Sequence, residues 1–289
     1  MPTTRCRRRF SPPPWSGRRG CPTDHSHGSS QRISRAKAKL RGRRFELPAN
    51  PAGRLRSVCE VLYLLFNEGY TSSSGPDLSR VDLSGEAIRL ARMLHGQAPA
   101  NPEDAGLLAL MLLSEARRPA RTSADGALVP LTQQDRSLWD RALISEGLQL
   151  LNATLAAGRI GEYQLLASIA ALHDEAASHA STRWTVIAKA YTRLESLTGN
   201  PMVRLNRAVA VAMVEGPASG LALLEGLELH DSHRLHAVVR AHLHEDTGDL
   251  AAAAQCYAAA AARTDNARER DYLVEQAARV SACQAAEGA

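Results

Sequence analysis

The stretch VCEVLYLLFNEGYTSSSG, residues 58–75, constrains the fold of this chain more than any other. Apolar residues stand at Leu55, Val58, Cys59, Leu62, Leu65 and Phe66, a three-then-four spacing that lays one stripe along a helix. Such a helix is expected to bury its stripe early in the fold. Gly69, read as a position tolerant of positive φ, and the small polar run Thr71 to Gly75 cannot continue the stripe. The expectation is a core helix that ends in a tight polar corner.

With 44% hydrophobic residues, only 4% aromatics, and Ala and Leu abundant, the composition favours close-packed helices over sheets. The predicted class is all-α. Charge is unevenly placed. Residues 1–44 hold eleven Arg and two Lys against the single acid Asp24, a local +12 within a whole-chain +5, so the rest of the chain carries −7. A phosphate-bearing partner would therefore have to meet the first 44 residues. Five cysteines at 6, 21, 59, 256 and 283 form no CxxC, and Cys59 and Cys256 sit within apolar helical patterns. That usage fits a reducing, cytoplasmic protein. No apolar run approaches the roughly 18 residues needed to span a membrane, and the Arg-rich start lacks the apolar centre of a signal peptide.

Taken in order, residues 1–30 are crowded with Arg, Pro, Gly and Ser and show no periodicity, which predicts a disordered tail. Their composition also resembles GC-rich coding sequence read out of frame. From Gln31 to Leu47, Ile33, Ala36 and Leu40 share one helical face, with Arg32, Arg35, Lys39 and Arg43 around the rest. On composition alone this is a solvated basic helix. Residues 48–54, with Pro48, Asn50, Pro51 and Gly53, form a linker.

A helical domain is then expected over 55–200. Asp82 or Ser84 would cap one helix, Asn101-Pro102 would start another, and Thr132 with Asp135 would open a long helix to about Ala157, closed by Gly158. The segment AGLLALMLLSEARR is apolar nearly all round and should be buried between neighbours. Over 201–280 a repeat emerges: Ala241 lies seven before Gly248, while Ala253, Tyr257 and Ala260 lie five, nine and twelve after it. That is the small–small–aromatic–small spacing of a tetratricopeptide unit, with a degenerate copy placed around Gly216. The expected architecture is thus a helical bundle continuing into a short tetratricopeptide-like α-solenoid, with residues 281–289 as a tail.

Candidate chemistry is sparse. The corner lacks the Lys and Gly-Lys-Ser/Thr of a phosphate-cradling loop, and no His or Cys follows to complete a catalytic set with Glu68. His230, His233, His236, His242 and His244 invite a metal reading, but no HExxH pattern or Cys set completes it, and Cys6, Cys21, His25 and His27 lie in the irregular tail. No cofactor and no enzymatic activity are expected. The sets Arg80, Asp82, Glu86, Arg89, Arg92 and Arg117, Arg118, Asp135, Arg136, Asp140 read as ion-pair lattices between packed helices.

LYLLFNEGYTSSSG, EAIRLARML, LLALMLLSEARRPAR, QDRSLWDRALISEG, GEYQLLASIAALH and NPMVRLNRAVAVAMVEGPASGLALL occur in this order. Together they resemble the C-terminal extension of one large group of extracytoplasmic-function (ECF) RNA polymerase sigma factors, whose tetratricopeptide-like domain follows two sigma domains. The resemblance runs from about Gln31 to the end. It implies a role in transcription initiation and its regulation through protein contacts, with RNA polymerase core and the sigma domains as partners in the intact protein. It also implies that residues 31–47 are a remnant of the promoter-reading helix, with Arg32, Arg35, Lys37, Lys39, Arg41, Arg43 and Arg44 as DNA-contact residues. The sigma domains themselves are expected to have been lost by truncation or frameshift, so this chain should not initiate transcription by itself. Asn67, Glu68, Tyr70, Ser72 and Ser73 at the corner are the expected protein-contact residues. The alternative is a free-standing helical-repeat interaction module with no transcription role.

Overall fold

The computed structural model describes residues 52–97, 101–155, 158, 160–227 and 234–287. The tail, the basic segment 31–47 with its seven DNA-contact candidates, and His230 and His233 lie outside the described residues. Among the described residues the chain forms eleven α-helices and one pair of two-residue strands. The helices are α1 (Ala52–Tyr70), α2 (Val81–Gln97), α3 (Pro102–Ala116), α4 (Arg141–Leu155), α5 (Glu162–Glu175), α6 (Trp184–Thr198), α7 (Pro201–Glu215), α8 (Pro217–Leu224), α9 (Arg234–Thr247), α10 (Leu250–Ala261) and α11 (Ala267–Glu287). The fold is all-α. α1 already includes residues 52–54 of the expected linker, and α11 carries helix through 281–287, where a tail was expected.

α3 is the axis of the first half. Asn101 accepts the Glu103 N–H at 3.1 Å and Pro102 occupies the first helical position, as its sequence requires. Every residue from Asp104 to Ala116 is buried, because α1, α2, α4 and α5 all pack around this helix. Its own N-terminus serves a neighbour: the Glu103 carboxylate accepts the Tyr163 and Gln164 N–H groups at 3.0 and 3.3 Å, satisfying donors left open at the start of α5.

Two helix starts differ from expectation. α2 begins at Val81, ahead of both Asp82 and Ser84, and Ser84 is a fully buried residue inside the helix. The long helix expected from Thr132 is instead a short 3-10 turn, Arg136–Leu138, capped by Asp135, followed by Trp139 in an extended conformation. The extended residue seats the Trp139 ring in the core, with the Arg136 guanidinium 4.5 Å above it. Only then does α4 start, with Asp140 accepting the Ala142 and Leu143 N–H groups at 2.9 and 3.1 Å. Gly158 follows the end of α4 at φ 76, and its N–H donates to the Leu155 carbonyl.

Beyond α6 the packing becomes that of a solenoid, in which each helix is shared by successive cores. Leu235, Val239 and Leu243 of α9 join Met202, Leu205 and Val209 of α7, while Ala237, Val238 and Ala241 on another face join α10 and α11. Ala241, Ala253, Tyr257 and Ala260 are fully buried, and Gly248 turns the chain between α9 and α10 at φ 89. In the earlier copy, a Cβ on Gly220 would meet the Ala208 carbonyl and the Ala212 methyl at 2.8 Å, so α7 and α8 approach as closely as a side-chain-free position permits.

Candidate functional site at the corner after α1

α1 closes in a compact polar corner. The Thr71 N–H donates to the Asn67 carbonyl at 2.9 Å, the Ser72 N–H to the Leu78 carbonyl at 2.8 Å, and the Arg80 N–H to the Gly69 carbonyl at 2.7 Å. The Glu68 carboxylate accepts from both the N–H and the hydroxyl of Ser73, at 3.0 and 2.9 Å. Gly69 has a different role from the one its position implied. It lies inside α1 and not at positive φ, and a Cβ there would stand 2.3 Å from the Ser84 nitrogen of α2. The glycine allows two backbones to touch.

Beneath the corner lie two buried arginines from the end of α3. The Arg121 guanidinium sits 3.8 Å from the Tyr70 ring centroid, donates to the Tyr70 carbonyl, and reaches the Thr71 hydroxyl at 2.9 Å. Tyr70 is itself stacked on Phe66, with ring centroids 5.6 Å apart. Arg117 pairs with Asp174 at 2.6 Å, both side chains nearly out of solvent. Burial pushes the Asp174 carboxyl up to about 6, against the pull of Arg117. At neutral pH this is an ion pair that fixes the end of α5 against α3.

The corner is also tied to the far end of the chain. Ser74–Gly75 (β1) pairs in parallel with Asp265–Asn266 (β2), and the Asn266 amide donates to the Ser72 and Asp77 carbonyls at 3.2 and 2.8 Å. Asn266 simultaneously accepts the Glu269 N–H at 3.1 Å at the start of α11. Its side chain is 1% exposed, so one residue holds the first helical block against the last helix.

These contacts correct the expectation of an open contact surface. Tyr70 and Ser72 are buried, held inward by Arg121 and by the Asn266 strap, while Asn67, Glu68 and Ser73 are half-buried. The reason is tertiary: a hydroxyl and a carbonyl that local sequence leaves open, those of Thr71 and Ser72, are satisfied from positions 50 and 194 residues away. Arg121 and Asn266 went unnoticed in the sequence. For Asn266 a local signal existed, since Asn followed three residues later by Glu269 marks a helix start; its second role carries no local signal.

The remaining candidates are distributed as structural pairs. Arg80–Asp82 and Arg89–Glu86 are exposed pairs, whereas Arg92–Glu146 crosses from α2 to α4 at 2.7 Å. Arg118 pairs with Glu115, and Arg136 donates to the His173 and Ala176 carbonyls at the end of α5 at 2.6 and 2.7 Å. His173 and His179 pack edge-on against Trp184, and burial holds them neutral, down to about 3 and about 4. Of the five histidines, His236, His242 and His244 are described. His242 lies 2.7 Å from the Tyr257 hydroxyl, which donates to Glu245 at 3.0 Å, and His244 faces Asp249. Among the described residues no group of three or more His, Cys, Asp or Glu side chains is placed to hold a metal ion, and no helix is long and apolar enough to cross a membrane.

No solved structure matches this chain. An uncharacterized protein of Rhizobium meliloti (strain 1021) is 42% identical over 248 residues, covering 84% of this chain and 59% of the relative. The chain therefore spans about three fifths of the length of the curated relative it matches. Residues 54–155, from α1 to the end of α4 and including the whole corner, match a family described as a family of unknown function, DUF6596.

Proposed function

We propose that this chain is the regulatory helical extension of an ECF-type sigma factor, acting in transcription initiation by contacting RNA polymerase core or the sigma domains. The observation that carries the reading is the repeat packing of α9 and α10, with Ala241, Ala253, Tyr257 and Ala260 all sealed. Such units build a solenoid whose outer faces remain for protein partners, the architecture expected of that extension. The ordered sequence blocks support the reading. So does the relative's greater length, which leaves about two fifths of it outside the match, room for further domains. A cytoplasmic location follows from the same reading. At the corner, the residues that still reach solvent, and so a partner, are the half-buried Asn67, Glu68 and Ser73, with Tyr70 and Ser72 buried beneath them.

The test is direct binding of the purified chain to core RNA polymerase and to isolated ECF sigma domains, followed by size-exclusion chromatography and titration. A complex of defined stoichiometry with either is expected. Failure to bind both at micromolar concentration would overturn the proposal and favour an interaction module outside transcription.

A further inference from the structure

α1 has a second apolar face that nothing described covers. Val58, Val61 and Leu64 are 42%, 63% and 51% exposed, and among the described residues no other helix leaves more than two large apolar residues so open. The three recur at intervals of three, which places them on the side of α1 turned away from Cys59, Leu62, Phe66 and Tyr70, the residues that enter the first core. Leu65 is half-buried and packs against that core. Single exposed aliphatic residues need no explanation, but a contiguous strip on the first described helix does, because the end units of a solenoid normally turn a polar face outwards.

The two ends of this face carry opposite charges. Arg54 and Glu68 stand seven residues before and seven residues after Val61, and seven residues make two helical turns, so all three lie along one line of α1. Arg54 is exposed. Glu68 is half-buried, and its Oε1 accepts from the N–H and the hydroxyl of Ser73 at 3.0 and 2.9 Å, which anchors a carboxylate at that end. On the flank, Arg56 and Glu60 pair with each other at 3.6 Å and add no net sign. The face is therefore positive at its start, apolar in its middle and negative at its end.

We infer that this face is the interface of a homodimer, in which α1 of one protomer lies antiparallel to α1 of its partner about a two-fold axis close to Val61. Two-fold symmetry sets a surface against itself, so that surface must complement itself when turned end for end. This one does. The antiparallel arrangement lays the two aliphatic strips together and brings each Arg54 towards Glu68 of the partner subunit. A parallel arrangement would set Arg54 beside Arg54 of the partner subunit, and like charges oppose it. A partner other than a second copy has no need of this internal match. Burial of the aliphatic strip supplies the attraction and the charges set the direction. From Arg54 to Glu68 the contact runs about 21 Å and is one helix wide, smaller than a standard interface, so micromolar association is expected. Failure of the dimer would leave the transcription reading untouched, since that reading rests on α9 and α10.

Sedimentation velocity of the full chain from about 1 to about 200 µM measures the association. The parent should pass from monomer to dimer across this range. Val61→Asp should weaken dimerisation by on the order of tenfold or more, and Arg54→Glu by roughly threefold to tenfold. Val274→Asp, at an aliphatic position 55% exposed on α11, should leave it unchanged. Thermal melting followed by circular dichroism at low concentration shows that each variant is folded. Cysteine linking reads the symmetry directly. With Cys6, Cys21, Cys256 and Cys283 replaced by Ser and the buried Cys59 kept, Val61→Cys lies near the two-fold axis and should give a disulfide-linked dimer under mild oxidation. Val274→Cys in the same background should link on the order of tenfold more slowly. A parent that stays monomeric throughout, an Arg54→Glu chain that dimerises as tightly as the parent, or equal linking at positions 61 and 274 would each overturn the proposal.

Discussion

Asn266 donates its side-chain amide to the Ser72 carbonyl across 194 residues of chain, at 3.2 Å. The same side chain caps α11 through the Glu269 N–H, so the start of the last helix and the end of the first share one residue. Because loop-closure entropy rises only slowly with length, a contact over so long a loop is little harder to form than one over a short one. The contact orients. It converts a chain of successive helix pairs, free to flex as solenoids are, into a body whose two ends meet.

The strap and the cap can be separated by substitution. Asn266→Asp keeps an oxygen for the Glu269 N–H but turns the donor that faces Ser72 and Asp77 into an acceptor facing two carbonyls. Asn266→Ala loses both roles. Urea unfolding should show a loss of about 1–3 kcal/mol for the Asp variant and a larger loss, about 2–4 kcal/mol, for Ala. Parent-like stability in both would mean that the strap is incidental.

Gly69 makes a sharper case. A methyl group there meets the Ser84 backbone at 2.3 Å, and backbone in a helix cannot step aside as a flexible side chain could. Gly69→Ala should cost about 2–3 kcal/mol through displacement of α1 from α2. Gly85→Ala, on an exposed turn of α2 with open space around it, should instead stabilise by about 0.5–1 kcal/mol. Thermal melting of the two variants should move in opposite directions, and a matched shift would refute the close-contact account.

Acid should weaken the protein through its buried histidines. Burial holds His173 down to about 3 and His242 down to about 4, below the ordinary 6.5. Neutral imidazole is the native form, so the unfolded chain binds more protons once pH drops below 6.5. The stability contributed is complete above pH 6.5 and is lost as pH falls towards 4. A shift of that size at His242 corresponds to roughly 3 kcal/mol at most. His242→Gln should therefore show a shallower decline in urea midpoint between pH 7 and pH 5 than the parent, and parallel declines would assign the acid sensitivity elsewhere.

The basic start of the chain predicts salt-dependent binding to DNA. Thirteen cationic residues before Phe45 should give sequence-independent affinity that falls steeply with ionic strength, through counterion release. Removing residues 1–44 should abolish it, since the remainder carries net negative charge. Fluorescence anisotropy with a labelled duplex at several salt concentrations measures the slope, and undiminished binding by the shortened chain would overturn the charge partition.

Local structure was legible in the amino-acid sequence. The stripe of α1, the Asn101-Pro102 start of α3, the all-round apolar surface of α3, and the spacing of Ala241, Gly248, Ala253, Tyr257 and Ala260 each encode their structure within a few turns, where periodicity and capping act. The use of the polar groups depended on long-range packing. Asn67 to Ser73 read as an open surface because their partners, Arg121 and Asn266, lie far along the chain, and no short-range pattern records a hydrogen bond across 50 or 194 residues. Trp139 shows the same division: its neighbours favour helix, but a large ring gains more by extending the backbone and entering the core. Gly69 likewise looked like a chain terminator, and became a contact point, because the helix that presses on it is formed by the residues that follow the corner.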